Sequence, residues 1–71
     1  MKTISIYTEY VTLGQFLKLA SIIQTGGEAK TYLSTAHILV NGEEDNRRGR
    51  KLRNGDQVKI EGIDYLIVNE G

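Results

Sequence analysis

Turn signals divide the C-terminal half of the chain into segments that are each long enough only for a short strand. Asn41-Gly42 is the strongest short-range signal for a hairpin, because both residues tolerate a positive φ. Asn54-Gly55-Asp56 predicts a second turn, and Gly62 permits a third reversal. Between these last two turns Val58 and Ile60 alternate with polar residues, as in a half-buried strand. This half is therefore predicted to form a small antiparallel sheet. Strands are also predicted at Ile4–Tyr7, Ile38–Val40 and Tyr65–Val68.

Two short amphipathic helices are predicted before the sheet. Thr12 can cap the first helix, and Gln15 can complete a capping box. This helix is expected to end near Thr25-Gly26-Gly27, because each glycine lowers helix propensity by about 1 kcal/mol. A second helix is expected to begin directly after the glycines. The apolar face of the first helix consists of Leu13, Phe16, Leu17, Ala20 and Ile23, and that of the second of Ala29, Tyr32, Leu33 and Ala36.

The length and composition of the chain limit its function. With 71 residues and no cysteine, we expect one domain over residues 1–71 with an apolar core and no disulfide framework. A chain of this size buries only roughly 60% of its unfolded surface, which makes a deep active site improbable. Apolar runs such as Leu66–Val68 are too short to cross a membrane, and no secretory signal is apparent. We therefore expect a cytoplasmic protein that does not contact a membrane.

The segment from Arg47 to Arg53 carries more than half of the positive charge of the chain. Five of its seven residues are basic, whereas the chain as a whole has nine basic and nine acidic side chains. Such self-repulsion has no evident structural benefit and is typical of a surface that binds a polyanion. The alternative is a solvated loop that nearby carboxylates neutralise. The basic residues are Arg47, Arg48, Arg50, Lys51 and Arg53, and the carboxylates are those of Glu43, Glu44, Asp45 and Asp56.

The start of the second predicted helix is a weaker candidate for anion binding. Gly26 and Gly27 allow a phosphate to approach the free amides of a helix N-terminus, and Lys30 adds a full charge one turn later. An ordinary helix start is the alternative, because Glu28 could occupy the same amides as the capping-box partner of Thr25. Lys18 lies on the polar face of the first helix.

No catalytic or metal-binding set of residues is visible in the sequence. His37 is the only histidine, and without cysteine a zinc site would need carboxylate ligands alone. The acidic run Glu43–Asp45 is predicted to lie in an exposed turn, where nothing would separate the pKa values of its carboxylates for acid-base chemistry. We therefore expect no enzyme activity, no cofactor and no metal ligand.

The order of these parts resembles the S4 domain, an RNA-binding module named after the fourth protein of the small ribosomal subunit. The resemblance covers about Val11 to Ile60. The chain is similar to a bacterial branch of the family whose short members consist of this domain alone. The resemblance rests on Thr12–Lys18, Gly26–Lys30, Val40-Asn41-Gly42 and the segment from Leu52 through Gly55-Asp56 to Val58. It implies an α+β fold, in which two short helices pack on a small and mostly antiparallel sheet and form the αL RNA-binding motif. The usual Arg-Leu-Asp and Ser-Arg helix starts of the family are replaced by Thr12-Leu13-Gly14 and Gly26-Gly27.

The resemblance implies a protein without enzyme activity that binds structured RNA, which we expect to be ribosomal RNA, in ribosome assembly or on ribosomal particles. RNA is expected to lie against the polar face of the helix pair and the loop after the hairpin. The candidate RNA-binding residues are Lys18, Gly26, Gly27, Lys30, Asn41, Arg47, Arg48, Arg50, Lys51 and Arg53.

Two alternatives from other classes remain at this point. A small adaptor of ubiquitin-like type would bind a protein partner through Tyr65 or Ile63. A protein that binds duplex DNA would use the helix pair, but the second helix offers no Arg, Asn or Gln for bidentate contacts with bases.

Overall fold

The chain folds into two short helices and seven strands, as a computed structural model of all 71 residues shows. The α+β prediction, with a mostly antiparallel sheet, is confirmed. The elements in chain order are β1 (Lys2–Ile6), β2 (Val11–Thr12), α1 (Leu13–Leu19), α2 (Glu28–Thr35), β3 (Ile38–Val40), β4 (Glu43–Glu44), β5 (Lys51–Leu52), β6 (Gln57–Ile60) and β7 (Ile63–Asn69).

Five strands form the main sheet, in the order β1-β7-β6-β3-β4. The antiparallel register places Val40 opposite Val58 and Ile60 opposite Ile63. The parallel pairing of β1 with β7, which places Ile4 beside Ile67, was not predicted from the sequence. Neither was a second sheet of two strands, in which β2 pairs antiparallel with β5.

One apolar core joins the helices to the main sheet. It contains Phe16 and Leu17 of α1, Leu33 of α2 and the alternate strand residues Val58 and Ile60, so the helices cover one face of the sheet. The intervening residues of β6 are exposed. Within the helices, the predicted face residues Leu13, Phe16, Leu17, Ala29 and Leu33 are buried, and Tyr32 is partly buried. Ala20, Ile23 and Ala36 also contact the core but lie outside the helices.

The first helix begins as predicted but ends earlier than expected. Thr12 Oγ1 accepts a hydrogen bond from Gln15 N, and Gln15 Oε1 accepts one from Thr12 N, which confirms the capping box. The predicted end near Thr25-Gly26-Gly27 is wrong, because α1 ends at Leu19. Ser21 adopts a φ of 60° there, and Ile22 N donates to the carbonyl of Leu17 at 2.9 Å. This is the Schellman pattern, which usually has glycine at the left-handed position.

The predicted hairpin at Asn41-Gly42 is present, and the side chain of Asn41 fixes it to the next strand. The φ values are 51° at Asn41 and 85° at Gly42. Asn41 Oδ1 accepts a hydrogen bond from Gln57 N at 2.9 Å, and its Nδ2 donates to Asp56 Oδ1 at 3.1 Å. The polar atoms of this side chain are therefore occupied within the protein.

Substitution of Asn41 is expected to separate these two contributions to stability. Asn41→Gly keeps the positive φ but loses the side-chain hydrogen bonds, at a cost of about 1 kcal/mol. Asn41→Ala should cost roughly 1 kcal/mol more, because a residue with a Cβ is strained at this φ. The free energy of unfolding in urea measures both variants. Equal stability of the glycine variant and the unchanged protein would show that the hydrogen bonds do not stabilise the hairpin.

Candidate nucleic-acid interface

The segment from Arg47 to Arg53, which we call the basic segment, is attached to the start of α1 by backbone hydrogen bonds. Leu13 N donates to the carbonyl of Arg50 at 2.7 Å, and Gly14 N donates to the carbonyl of Arg48 at 3.0 Å. The first amides of a helix have no partner within the helix, so these carbonyls supply acceptors that are otherwise missing. The pairing of β2 with β5 continues the attachment by placing Val11 opposite Leu52. Contacts within the protein therefore hold the basic segment in place without a bound ligand.

A tight turn at residues 47–50 is organised by Asp45. The carboxylate of Asp45 accepts hydrogen bonds from Arg47 N, Nε and Nη2 at 2.9, 3.1 and 2.8 Å. Arg50 Nη1 lies 3.7 Å from the same carboxylate, and Arg50 N donates to the carbonyl of Arg47. The side-chain hydrogen bond from Arg47, supported by its backbone amide and by both positive charges, lowers the pKa of Asp45 to about 2.

Arg48 occupies the exposed corner of this turn and lies across the start of α1. A Cβ atom added to Gly14 would meet Arg48 Cγ at 2.8 Å, closer than such atoms approach each other. Only glycine at position 14 leaves room for this path of the Arg48 side chain. The residue that replaces the usual acidic residue of the family pattern thus determines where a basic side chain lies.

One open cleft brings together predicted site residues from three separate parts of the sequence. Its volume is about 550 Å³, and we call it the Arg48 cleft. The predicted residues in it are Lys18 from α1, Gly26 and Gly27 from the start of α2, and Arg48 from the basic segment. The other residues that line it are Thr12, Gly14, Gln15, Ala29 and Gly49.

The amides of Gly26 and Gly27 donate to no acceptor in the protein. The carboxylate of Glu28 instead turns back and accepts hydrogen bonds from Gln24 N and Thr25 N, each at 2.7 Å. The hydrogen bond from Thr25 N, and to a smaller extent that from Gln24 N, lowers the pKa of Glu28. The predicted competition by Glu28 is therefore absent at the two glycines, which remain open to an anion.

The other predicted residues lie around the cleft or apart from it. Lys30 shares a neighbouring depression with Arg48, and Arg47, Arg50 and Lys51 surround a shallow one beside Gly49. Arg53 lies apart, with its Nη1 at 3.6 Å from Glu9 Oε1. Asn41 also lies apart, in the hairpin described above. The RNA-binding roles assigned to these residues remain predictions.

The basic side chains predicted to bind RNA fall into two groups. Arg47, Arg50 and Arg53 form ion pairs with Asp45 or Glu9. The neutralisation considered from the sequence therefore holds for Arg47 and Arg50 through Asp45, whereas the partner of Arg53 is Glu9, which was not among the predicted carboxylates. Lys18, Lys30, Arg48 and Lys51 form no ion pair. Lys18 and Arg48 line the Arg48 cleft itself, where an anion would be their counterion.

Sequence reasoning did not identify Gly14 or Tyr10 as parts of this surface. A glycine within the first turn of a helix is unfavourable and signals a close approach, so Gly14 could have been found. Tyr10 gave no such signal, because its position depends on the unpredicted pairing of β2 with β5. Tyr65, one of the two residues through which a ubiquitin-like adaptor was expected to bind a protein partner, is only 5% exposed, and its ring packs against Phe16.

The comparison with known families agrees with this fold. The model of the S4 domain matches residues 4–68, and the chain belongs to that family. It is also similar to the "Probable ribosome maturation protein RlbA" of Bacillus subtilis (strain 168). The two are 63% identical over 67 residues, which cover 93% of this chain and 94% of that protein. Neither helix has the length and apolar character needed to span a bilayer.

Gly14→Ala is expected to move Arg48 without destabilising the fold. Alanine favours the helix by about 1 kcal/mol, whereas its Cβ excludes Arg48 Cγ from its present position. Chemical shifts of the Arg48 side chain and the free energy of unfolding measure the two effects. Unchanged Arg48 shifts in a folded variant would contradict the proposed contact.

Asp45→Asn is expected to lower stability at neutral pH, and the difference should disappear as the pH falls through about 2. The folded-state pKa of Asp45 lies below its ordinary value of 3.8, so its charge stabilises the folded state above about pH 4. That stabilisation is lost progressively as the pH falls from about 4 through about 2. Urea unfolding of both proteins across this range measures the difference, with Asp64→Asn as an exposed control. A stability difference that does not change with pH would contradict this role.

Proposed function

We propose that this protein binds structured RNA through the Arg48 cleft and acts in the cytoplasm during ribosome maturation. In this proposal the RNA is ribosomal RNA. A phosphate group accepts hydrogen bonds from the amides of Gly26 and Gly27, while Arg48 and Lys18 supply the opposing charge. Lys30 extends the positive surface along α2. The protein acts by binding, without catalysis.

The observation that carries the proposal is the convergence in one cleft of two free amides and two unpaired basic side chains. These groups come from Lys18, Gly26-Gly27 and Arg48, which are distant in sequence. Backbone amides at a helix start together with an arginine are a favourable combination for a phosphate. The cleft is open and shallow, which suits a nucleic-acid backbone better than a small substrate.

Family membership and the similar protein support the choice of RNA and of the ribosome. The S4 domain is the module that the sequence resembles, and the printed name of the Bacillus subtilis relative refers to ribosome maturation. The identity covers nearly the whole of both chains, so the relative has no large additional domain to account for its role. We therefore infer the same kind of task for this protein.

Arg48→Ala is expected to weaken binding to ribosomal particles by at least about tenfold, because a charge-assisted hydrogen bond is lost. The slope of log affinity against log salt should also fall by roughly 0.7 to 0.9, the value for one phosphate contact. Arg48→Lys should bind with intermediate affinity, since lysine keeps the charge but not the planar fork. Co-sedimentation through sucrose gradients at a series of salt concentrations measures all three proteins.

Lys59→Ala is the matched control for this experiment. Lys59 is an exposed basic residue of β6, on the face of the sheet opposite to the helices, and it does not line the Arg48 cleft. Its removal changes the net charge as Arg48→Ala does, but should leave binding nearly unchanged. Equal losses for the two variants would mean that only net charge matters. Sedimentation of the unchanged protein at the top of the gradient at low salt would refute the proposal.

A further inference from the structure

The small sheet of β2 and β5 builds a second surface beside the Arg48 cleft. Val11 pairs with Leu52, and both side chains are buried. Because side chains alternate along a strand, the flanking residues Tyr10, Lys51 and Arg53 lie on the outer face. The register thus places an aromatic ring next to two basic side chains of the basic segment.

Tyr10 is held in this position and is partly exposed. Lys51 Nζ lies 5.0 Å from the centre of its ring, and Arg53 Cζ lies 5.3 Å from it. The hydroxyl of Thr8 donates to the carbonyl of Tyr10 at 2.8 Å, which restrains the backbone before β2. Tyr10 nevertheless remains 37% exposed.

Tyr10 lines an open cleft of about 780 Å³, which we call the Tyr10 cleft. Its floor includes Leu19, an apolar side chain that is 50% exposed. Thr12, Gln15 and Lys18 line both this cleft and the Arg48 cleft, so the two form one continuous surface across α1. A polymer bound in one cleft can therefore continue into the other.

We propose that the Tyr10 cleft binds one unpaired nucleotide of the RNA whose backbone occupies the Arg48 cleft. The base stacks against Tyr10 and packs on Leu19, and the adjoining phosphates face Lys18 and Lys51. This inference rests on the proposed function and adds to it the kind of RNA element that is recognised. The protein then prefers RNA in which a base is unpaired next to a helical stem.

The charges around the cleft favour a nucleotide over an apolar peptide. Lys18, which lines the cleft, and Lys51, whose ammonium lies over the Tyr10 ring, form no ion pair. Glu9 also lines the cleft but is paired with Arg53 at 3.6 Å. The cleft therefore combines an exposed aromatic ring with unpaired positive charge. Proteins that bind single-stranded nucleic acid use this combination, because every base has a face that can stack and every nucleotide has a phosphate. Stacking requires the base to be free of its helix, which explains the preference for an unpaired nucleotide.

The test compares two labelled RNA hairpins with the same stem, of which one carries a single bulged nucleotide and the other is fully paired. We expect the unchanged protein to bind the bulged hairpin about fivefold or more tightly than the paired one, the range expected for one stacked base. Tyr10→Leu should lower affinity for the bulged hairpin to that for the paired one. With 2-aminopurine as the bulged base, its fluorescence should fall on binding to the unchanged protein and not on binding to Tyr10→Leu.

Two controls keep the result specific to the Tyr10 cleft. Tyr10→Phe retains the ring and should retain the preference for the bulge. Tyr7→Leu removes another exposed tyrosine, which is 71% exposed and does not line the cleft, and should change neither affinity. Arg48→Ala should weaken binding to both hairpins by a similar factor, because it acts on the shared backbone contact.

Each other outcome overturns one of the two proposals or both. If the unchanged protein binds both hairpins equally and Tyr10→Leu alters neither affinity, the nucleotide site is wrong while RNA binding stands. If the Tyr10→Leu variant no longer sediments with ribosomal particles but binds both hairpins as the unchanged protein does, the cleft binds a protein segment instead. If no RNA binds and Arg48→Ala has no effect, the proposed function and the nucleotide site fail together.

Discussion

Two backbone hydrogen bonds, from Leu13 N and Gly14 N to the carbonyls of Arg50 and Arg48, determine the position of the basic segment. They satisfy the free amides at the start of α1 with the backbone of residues whose side chains carry positive charge. The helix thereby gains acceptors, and the basic segment gains a fixed place on the molecule. The position of Arg48 beside Lys18 and the two glycines before α2 depends on this attachment. A chain of this size has a small core, and this use of backbone groups adds order where apolar burial is limited.

The basic side chains of the segment differ in their roles, since some stabilise the turn and others are free to bind an anion. Asp45 holds Arg47 and Arg50 in ion pairs that shape the turn, so these two arginines contribute to its structure. Arg48 and Lys51 form no ion pair; Arg48 lines the Arg48 cleft, and the ammonium of Lys51 lies over the ring of Tyr10. The repulsion within this run of like charges is therefore reduced at the turn, where Asp45 is the counterion of two arginines. The remaining repulsion is relieved when a polyanion binds.

Local signals predicted most of the fold, whereas contacts between distant segments were not predictable. The capping box at Thr12 and the hairpin at Asn41-Gly42 are short-range features with known geometry, and both are present as predicted. The end of α1 was misplaced because Ser21 takes the left-handed conformation for which glycine is the usual signal. The parallel pairing of β1 with β7 joins the two ends of the chain and has no local signature.

The site was predicted in composition but not in arrangement. The basic segment, the two glycines and the lysines were identified from charge and from the family resemblance. Their grouping follows from the attachment of the segment to α1, which composition does not reveal. Charge alone gave no means of distinguishing Arg48 from Arg47, because the difference lies in a carboxylate two residues before Arg47. Tyr10 was missed because it joins the surface only through the β2–β5 register.

The glycines of the chain offer the most direct measurement of where RNA lies. Four of the eight line the Arg48 cleft, namely Gly14, Gly26, Gly27 and Gly49. The other four line neither cleft, namely Gly42, Gly55, Gly62 and Gly71. Titration of the ¹⁵N-labelled protein with ribosomal RNA should shift the amide resonances of the first four, with the largest change at Gly26 and Gly27, and leave those of the second four in place. Shifts confined to the second four, or spread evenly over all eight, would contradict the account.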